Sequence, residues 1–274
     1  MTQSTPVEGP PAAAAGTLAL GDDLCIRRLG FGAMRLTGAG VWGPPTDRAQ
    51  ALRVLRRALE LGVNFIDTAD SYGPHVSEEI IAEALHPYPP DLVIATKGGL
   101  IRPGRDQWER DARPSHLRAA CEGSLKRLRL SRIDLYQLHA VDPRVPLEDS
   151  LGELARLRAE GKIRHIGVSN VDAAQLASAR KLVTVVSVQN RYNLEDRSSE
   201  AVLRECERSA TAFIPWFPLG AGRNAANARE AIAWLLARSA VMLPIPGTSQ
   251  VKHLEENVAA AALRLSAEDL RKLK

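Results

Sequence analysis

The chain has 274 residues, of which 45% are hydrophobic, and its 36 basic and 32 acidic residues leave a net charge of +4 at pH 7. This composition supports one large buried core, and the length suits a single parallel-barrel domain. The basic residues are spread along helical patterns and no apolar run reaches the length of a membrane span, so we expect a cytoplasmic protein that binds neither nucleic acid nor membrane.

Residues 1–16 form a Pro- and Ala-rich stretch without the basic region of a signal peptide, so we expect a disordered leader there and one domain over residues 17–274. The cysteines, Cys25, Cys121 and Cys206, are widely spaced and include no C-x-x-C pair. This spacing supports neither a disulfide framework nor a metal site, and it predicts buried free thiols.

The first predicted element is a hairpin, in which two short apolar runs flank Gly21-Asp22-Asp23. Eight strand-like runs then alternate with amphipathic helical runs, a pattern that produces parallel strands joined by crossover helices. This repetition favours an α/β fold of the (β/α)8 TIM-barrel type over an open doubly wound sheet, because a closed barrel leaves no unpaired edge. The predicted strands are Gly30–Met34, Asn64–Thr68, Leu92–Lys97, Ile133–His139, Ile163–Ser169, Val185–Asn190, Ala212–Pro218 and Val241–Gly247.

Helix boundaries are predicted from capping residues. Thr46 and Asp47 precede the first helical run, and Ser77, followed by two glutamates, is expected to cap the second. Gly62 and Gly161 are expected to supply left-handed turns that end helices.

Residues 38–43 match the G-x-G-x-x-G pattern of dinucleotide-binding loops. The context does not fit, because Pro44 and Pro45 follow at once and three residues separate the segment from the preceding strand. We therefore expect a glycine-rich loop at the rim of the active site, with Trp42 as an apolar wall for the substrate.

Asp67, Lys97 and His139 each close a predicted strand, and Tyr72 follows Asp67 by five residues. In a parallel barrel these strand ends meet at one rim. A tyrosine with a pKa of ~10 is a reluctant proton donor, and an adjacent ammonium would lower that pKa. The pattern predicts Tyr72 as general acid, with Lys97 held by Asp67 and His139 donating to a substrate oxygen. The alternative is a structural Asp67–Lys97 ion pair beside a histidine of the core.

Several segments resemble, in chain order, the motifs of aldo-keto reductases. The resemblance runs from about Gly30 to about Asn257 and implies a (β/α)8 barrel that binds a nicotinamide cofactor without a Rossmann domain. It implies NAD(P)H-dependent reduction of an aldehyde or ketone to an alcohol, with Asp67, Tyr72, Lys97 and His139 as the catalytic tetrad. The segments are Phe65–Gly73, Ala95–Lys97, Gln137–His139, Ile166–Asn170, Val188–Asn190 and Ile245–Ser249.

The same resemblance implies a set of cofactor contacts. The carboxamide of the nicotinamide would meet Ser169, Asn170 and Gln189, and Trp216 would stack on its ring. The other implied contacts are Gly32 and Met34 on the first strand, Pro218, Leu219, Gly220 and Gly222 beside the pyrophosphate, and Gly247, Ser249, His253, Glu256 and Asn257 around the start of the last long helix, where phosphate is favoured.

Two departures from the family pattern affect the cofactor. Gly247 and His253 stand where many members have a lysine and an arginine for the 2′-phosphate, so NADPH is expected to rest on weaker donors and NADH is the alternative. The segment between Gly220 and the helix expected near Ala225 is short. This favours a second hypothesis, a cofactor-binding barrel that senses redox state with little turnover. A hydrolase using His139 is disfavoured, because no G-x-S-x-G elbow is present.

The substrate is expected to be a small carbonyl compound in a pocket lined by Trp42, His75 and Trp108. Residues 38–45 and 71–76 are most similar to those of bacterial reductases that include pyridoxal reductase. Loops carry substrate choice, so neither the substrate nor the oligomeric state follows from the sequence.

Overall fold

The structure is a computed structural model that describes residues 9–220 and 228–273. None of the helices in these two ranges combines the length and the apolar character needed to cross a membrane. The helices are α1 Arg48–Glu60, α2 Val76–Leu85, α3 Pro114–Leu128, α4 Leu147–Ala159, α5 Ala173–Leu182, α6 Glu200–Arg208, α7 Ala228–Arg238, α8 Val251–Ala259 and α9 Ala267–Lys272. The strands are β1 Thr17–Leu20, β2 Leu24–Arg27, β3 Phe31–Gly32, β4 Phe65–Asp67, β5 Val93–Gly98, β6 Leu100–Ile101, β7 Glu109–Arg110, β8 Ile133–Leu138, β9 Ile163–Ser169, β10 Val185–Arg191 and β11 Ala212–Trp216.

Seven parallel strands form one curled sheet in the order β11-β10-β9-β8-β5-β4-β3. The eighth position belongs to residues 241–247, which bridge the two edge strands. Phe213 of β11 pairs with Met242, and the Gly30 amide donates to the Pro244 carbonyl at 2.9 Å. The predicted TIM barrel is confirmed. Within residues 9–220 and 228–273, the eighth predicted strand forms one bridge pair and no longer ladder, because its two prolines remove backbone donors.

The predicted hairpin is confirmed, since β1 and β2 pair in antiparallel register from Thr17 opposite Arg27 to Leu20 opposite Leu24. Leu20 and Ile26 are fully buried and belong to the same apolar cluster as Phe65, the first residue of β4. The hairpin therefore closes the N-terminal end of the barrel and leaves the opposite end open for a site.

The expected disordered leader is wrong for residues 9–16, and residues 1–8 lie outside the described part of the chain. Pro11–Ala15 forms a 3₁₀ helix in which Ala12 is fully buried and donates its amide to the Leu61 carbonyl at 2.9 Å. Ala12 and Ala15 pack in one cluster with Ala260. Small side chains allow the two backbones to approach closely, so this alanine run is part of the core.

The capping predictions are confirmed in part. The Asp47 carboxylate accepts the amide three residues later at 2.8 Å, and Gly62 and Gly161 have φ values of +86° and +74°. Ser77 lies inside α2 and does not cap it; the position before the helix belongs to His75, at φ +72°. The Ser77 hydroxyl instead bonds the Thr68 hydroxyl at 2.8 Å, because a buried tertiary partner lies closer than the helix end.

Free thiols are present as expected, with Cys121 and Cys206 buried. The expected burial is wrong for Cys25, which is exposed. Cys25 alternates with the buried Ile26 along β2, so its side chain lies on the outer face of the hairpin.

Candidate active site

The C-terminal ends of neighbouring strands bring the predicted catalytic residues to one rim. Asp67 is the last residue of β4, Lys97 lies one residue before the end of β5, and His139 directly follows β8. In the register of the sheet Asp67 pairs with Ala95, and Lys97 pairs with Gln137. The three side chains therefore come from adjacent strands of one continuous ladder.

Tyr72 lies in the loop between β4 and α2. Its amide donates to the Ala69 carbonyl at 3.2 Å, and its own carbonyl accepts the Ser77 amide at 3.2 Å. These turns hold the phenol beside the end of β5, where it is 7% exposed. The fixed loop explains how a residue outside any strand joins the rim.

Asp67 and Lys97 form a buried ion pair. Lys97 Nζ lies 2.8 Å from Asp67 Oδ2 and also donates to the Thr68 carbonyl at 2.7 Å, and both side chains are almost fully buried. The second carboxylate oxygen, Oδ1, accepts from Gln189 Nε2 at 2.7 Å and from Gln137 Nε2 at 3.3 Å. Because the pair is buried and hydrogen-bonded on every side, its geometry is fixed.

Tyr72 lies against this pair, with its ring centroid 5.2 Å from Lys97 Nζ. Burial raises the pKa of Tyr72, and the neighbouring Lys97 lowers it by less than burial raises it. Lys97 therefore lowers the Tyr72 pKa as expected, but burial outweighs this contribution. Burial alone would lower the pKa of Lys97, but the Asp67 carboxylate and the phenol hold it above its usual value. At neutral pH the site thus contains a protonated phenol beside an ammonium.

His139 completes the group, with its ring centroid 6.0 Å from that of Tyr72 at an interplanar angle of 80°. Burial, with a further contribution from the Lys97 charge, holds the pKa of His139 well below its usual value. Nδ1 lies 3.4 Å from the Ser71 hydroxyl. A neutral imidazole has one N–H to donate, so His139 can offer a hydrogen bond without adding positive charge.

A cavity of about 740 Å³ opens over these residues. Asp67, Tyr72 and His139 line it, and Lys97 lies behind Tyr72 and Asp67. This volume is within the range of small-molecule and cofactor sites. The residues expected to bind a cofactor that also line the cavity are Gly32, Met34, Ser169, Asn170, Gln189, Trp216, Pro218, Leu219, Gly247, Ser249, His253, Glu256 and Asn257.

One wall of the cavity is a polar network at the ends of β9 and β10. Asn170, at φ +56°, donates to the His139 carbonyl at 3.0 Å and accepts from Trp216 Nε1 at 3.0 Å. The Ser169 hydroxyl donates to the Gln189 carbonyl at 2.8 Å. The Trp216 indole is therefore held at the cavity wall by a side-chain amide.

The family model that matches this chain is that of the Aldo/keto reductase family, over residues 28–231 and 223–274. The chain belongs to the aldo/keto reductase family. Its relatives include an uncharacterized oxidoreductase of Schizosaccharomyces pombe, 46% identical over 100% of this chain and 94% of that protein. Pyridoxine 4-dehydrogenase of Escherichia coli is 44% identical over 89% of this chain and 93% of its own length.

Solved structures of aldo-keto reductases also match this chain. An aldo-keto reductase from Klebsiella pneumoniae in complex with NADPH superimposes with a TM-score of 0.79 at 28% identity, covering 94% of this chain and 93% of that one. The sequence match and the structural match thus agree on the family and on the barrel.

Some predicted site residues lie elsewhere in this aldo/keto reductase. Trp42, His75 and Gly220 are not among the lining residues of the cavity in the described part of the chain, and Gly222 lies outside the described residues. The side-chain amide Nε2 of Gln189, which was expected to meet the cofactor, donates a hydrogen bond to Asp67 Oδ1. Gly40 and Val41 line the cavity, in agreement with the expected rim loop of residues 38–43, and Thr248 lines it beside Ser249. Lining residues that the sequence analysis missed are Arg35, Asp106, Phe217, Ala228, Ile245 and Pro246. Arg35, Phe217 and Pro246 directly flank predicted site residues, and this position in the chain is the signal that could have identified them.

Trp108 lines the cavity and packs against Arg102, which forms a clamp between two loops. The Arg102 guanidinium lies 3.8 Å from the Trp108 ring centroid and 5.4 Å from that of Trp42. It also donates to the carbonyls of Gly40 and Val41 at 3.0 and 2.7 Å. Trp42 therefore acts indirectly, as part of the clamp that joins two loops beside the phenol.

Proposed function

We propose that this protein is an NADPH-dependent reductase that converts an aldehyde or ketone to an alcohol, with Tyr72 as the proton donor. The observation that carries the proposal is the buried, protonated phenol beside Lys97 and opposite the neutral His139, at the floor of a cofactor-sized cavity. A bound nicotinamide would supply the hydride, and the residues of this chain supply the proton and the orientation.

The residues around the cavity fit such a cofactor. Trp216 is fixed by Asn170 and presents an aromatic surface. Ser249 and His253 lie around the start of α8, where unpaired amides favour phosphate, and Asn257 lines the cavity from the last turn of the same helix. The Klebsiella pneumoniae relative that binds NADPH has the same barrel. These features support NADPH, and the pyrophosphate and nicotinamide that NADH shares would find the same groups.

The four residues of the tetrad would have different roles in the proton transfer. Tyr72 and His139 would donate hydrogen bonds to the carbonyl oxygen and hold the carbonyl carbon toward the hydride source. As the carbon receives the hydride, the oxygen takes the Tyr72 proton and a phenolate remains. The Lys97 ammonium stabilises that phenolate, and Asp67 keeps the ammonium in place. The phenolate then regains a proton from solvent.

Trp108 suggests the shape of the substrate. Its ring is edge-on to that of Tyr72 at 6.5 Å and its side chain is 41% exposed toward solvent. An exposed indole beside the reacting phenol favours a flat, aromatic carbonyl compound. The similarity to pyridoxine 4-dehydrogenase makes pyridoxal the first compound to test.

Replacing Tyr72 with phenylalanine tests the proposal. This change removes the proton donor and keeps the ring, so carbonyl reduction should fall by ~10²-fold or more. NADPH binding, followed by tryptophan fluorescence, should be retained. Tyr88→Phe is the matched control, because it removes a phenol that bonds the Leu128 carbonyl outside the cavity.

The outcomes separate the alternatives. Equal turnover by Tyr72→Phe and the wild type would contradict the proton-donor role. Tight NADPH binding with no turnover of any carbonyl compound would favour a redox-sensing barrel. Failure of the wild type to bind either nucleotide would refute both functions.

A further inference from the structure

The charges around the cavity are unevenly distributed. Three carboxylates line it, those of Asp67, Asp106 and Glu256. Among residues 9–220 and 228–273, Arg35 is the one lining residue with a permanent positive charge. Lys97, which is buried and does not line the cavity, neutralises the Asp67 carboxylate. The binding of a polyanionic dinucleotide would therefore depend strongly on the one guanidinium, that of Arg35, in the described part of the cavity wall.

Arg35 has no partner within the described residues. It lies in the 3₁₀ helix Ala33–Leu36 that directly follows β3, its side chain is exposed, and it forms no hydrogen bond or ion pair with residues 9–220 or 228–273. Most arginines of the barrel surface differ in this respect, as Arg57 and Arg118 illustrate with their glutamate partners. Arg35 is thus a cation at the cavity wall that is free to meet a ligand.

Arg35 lies beside the seam that closes the barrel, which is the contact between β3 and residues 241–247. A Cβ atom on Gly247 would overlap the Gly32 carbonyl oxygen and would lie 3.7 Å from Arg35 Cγ. The two glycines let β3 and residues 241–247 approach closely, and the stem of the Arg35 side chain lies beside this seam. Arg35 therefore lines the same part of the cavity wall as Gly247 and Thr248.

The cavity lining includes two groups of side chains. Asn170 bonds the His139 carbonyl and the Trp216 indole, so these residues lie together beside the tetrad, while Gly247 and Thr248 lead along the chain to His253 on α8. A dinucleotide with its nicotinamide at the tetrad and its adenosine toward α8 would place its pyrophosphate between the two groups.

We propose that Arg35 binds the pyrophosphate of the dinucleotide and is the main cation for the cofactor among the described residues, in a site that has no lysine or arginine at Gly247 and His253. This inference rests on the proposed function. A guanidinium can meet two phosphate oxygens with parallel hydrogen bonds, and such charge-assisted pairs are among the strongest in proteins. NADH and NADPH share the pyrophosphate, so Arg35 contributes equally to the binding of both.

The test is a fluorescence titration of NADPH and of NADH against the wild type, Arg35→Gln and Arg158→Gln. Arg158 is an exposed residue of α4 that does not line the cavity, so Arg158→Gln removes the same charge at a distant position. Arg35→Gln should raise the dissociation constants of both nucleotides by the same factor, roughly tenfold or more. The wild-type affinities should fall with added salt more steeply than those of Arg35→Gln. Arg158→Gln should bind like the wild type.

Each other outcome counts against a specific statement. Unchanged affinity in Arg35→Gln, with normal binding by the wild type, overturns this inference and leaves the proposed function standing. A loss confined to NADPH overturns the pyrophosphate assignment and moves the contact to the 2′-phosphate. Equal losses in Arg35→Gln and Arg158→Gln reduce the effect to overall charge and also overturn it. A wild type that binds neither nucleotide overturns both the inference and the proposed function.

Discussion

Replacing Lys97 with methionine removes the cation of a fully buried pair and keeps most of the stem volume. Lys97 Nζ lies 2.8 Å from Asp67 Oδ2, which corresponds to about 6 kcal/mol of attraction at an effective dielectric constant of about 20. The amides of Gln189 and Gln137 still donate to Oδ1, so part of the carboxylate remains satisfied. We expect Lys97→Met to lower the free energy of unfolding by about 3 to 5 kcal/mol, the usual cost of leaving one partner of such a pair.

The double variant Asp67→Asn with Lys97→Met removes both charges, so it should recover a substantial part of that loss. Urea unfolding followed by circular dichroism measures all the variants. Lys162→Met is the matched control, because Lys162 pairs with Glu122 and Glu160 at the surface, and its loss should change the midpoint little. If Lys97→Met unfolds at the wild-type urea concentration, or if the double variant is no more stable than the single one, the buried-pair reasoning is refuted. Carbonyl reduction should fall in the same single variant, since the phenolate loses its stabilising charge.

Two further predictions follow from buried titratable groups. Burial, and then the Glu78 charge, raise the pKa of Asp70 well above its usual range, and the Asp70 Oδ1 atom has no hydrogen-bond partner among the described residues. The folded state therefore keeps a proton on Asp70 that the unfolded chain loses as the pH rises above about 4. The free energy of unfolding consequently falls as the pH rises. Asp70→Asn should gain stability relative to the wild type between pH 4 and pH 8 in urea unfolding, and an equal difference at both pH values would contradict the assignment. Burial raises the pKa of Cys121 and of Cys206 to about 12, whereas Cys25 is exposed. Iodoacetamide at pH 8 should modify one thiol in the native protein and none in Cys25→Ser, as counted by mass spectrometry, and fast modification of either buried thiol would show that the barrel opens there.

The sequence predicted the barrel and the meeting of Asp67, Lys97 and His139 at one rim because both follow from local rules. An apolar run of strand length that ends in a polar residue marks a strand end, and parallel strands bring such ends together. The predictions for Ser77 and for the leader were wrong for a shared reason. A hydroxyl bonds whichever partner lies closest, here Thr68, and the alanines of residues 11–15 find a matching small-residue surface only after the chain has folded. Neither partner is visible from nearby sequence.

The cavity wall shows the same limit. Arg35 and Asp106 line the site although no motif contains them, because loops from different units meet only in the folded barrel. Trp42 was expected to line the substrate pocket directly. The structure places Arg102 against both its ring and that of Trp108. This contact depends on two loops that are distant in sequence, since Arg102 donates to the carbonyls of Val41 and Gly40, which are 61 and 62 residues away.

The raised pKa of Tyr72 changes how the proposed acid must work. From sequence alone, Lys97 was expected to make the phenol more acidic, but the walls that bury Tyr72 outweigh that effect. Burial keeps the phenol protonated over the whole neutral range, so the donor is always ready, at the cost of a weaker driving force for proton transfer. The Lys97 ammonium then matters most after the proton has left, when its attraction to the phenolate acts between two buried side chains. On this argument, the role of Lys97 is to stabilise the product of proton transfer, and Asp67 serves that role by keeping Lys97 charged in a buried position.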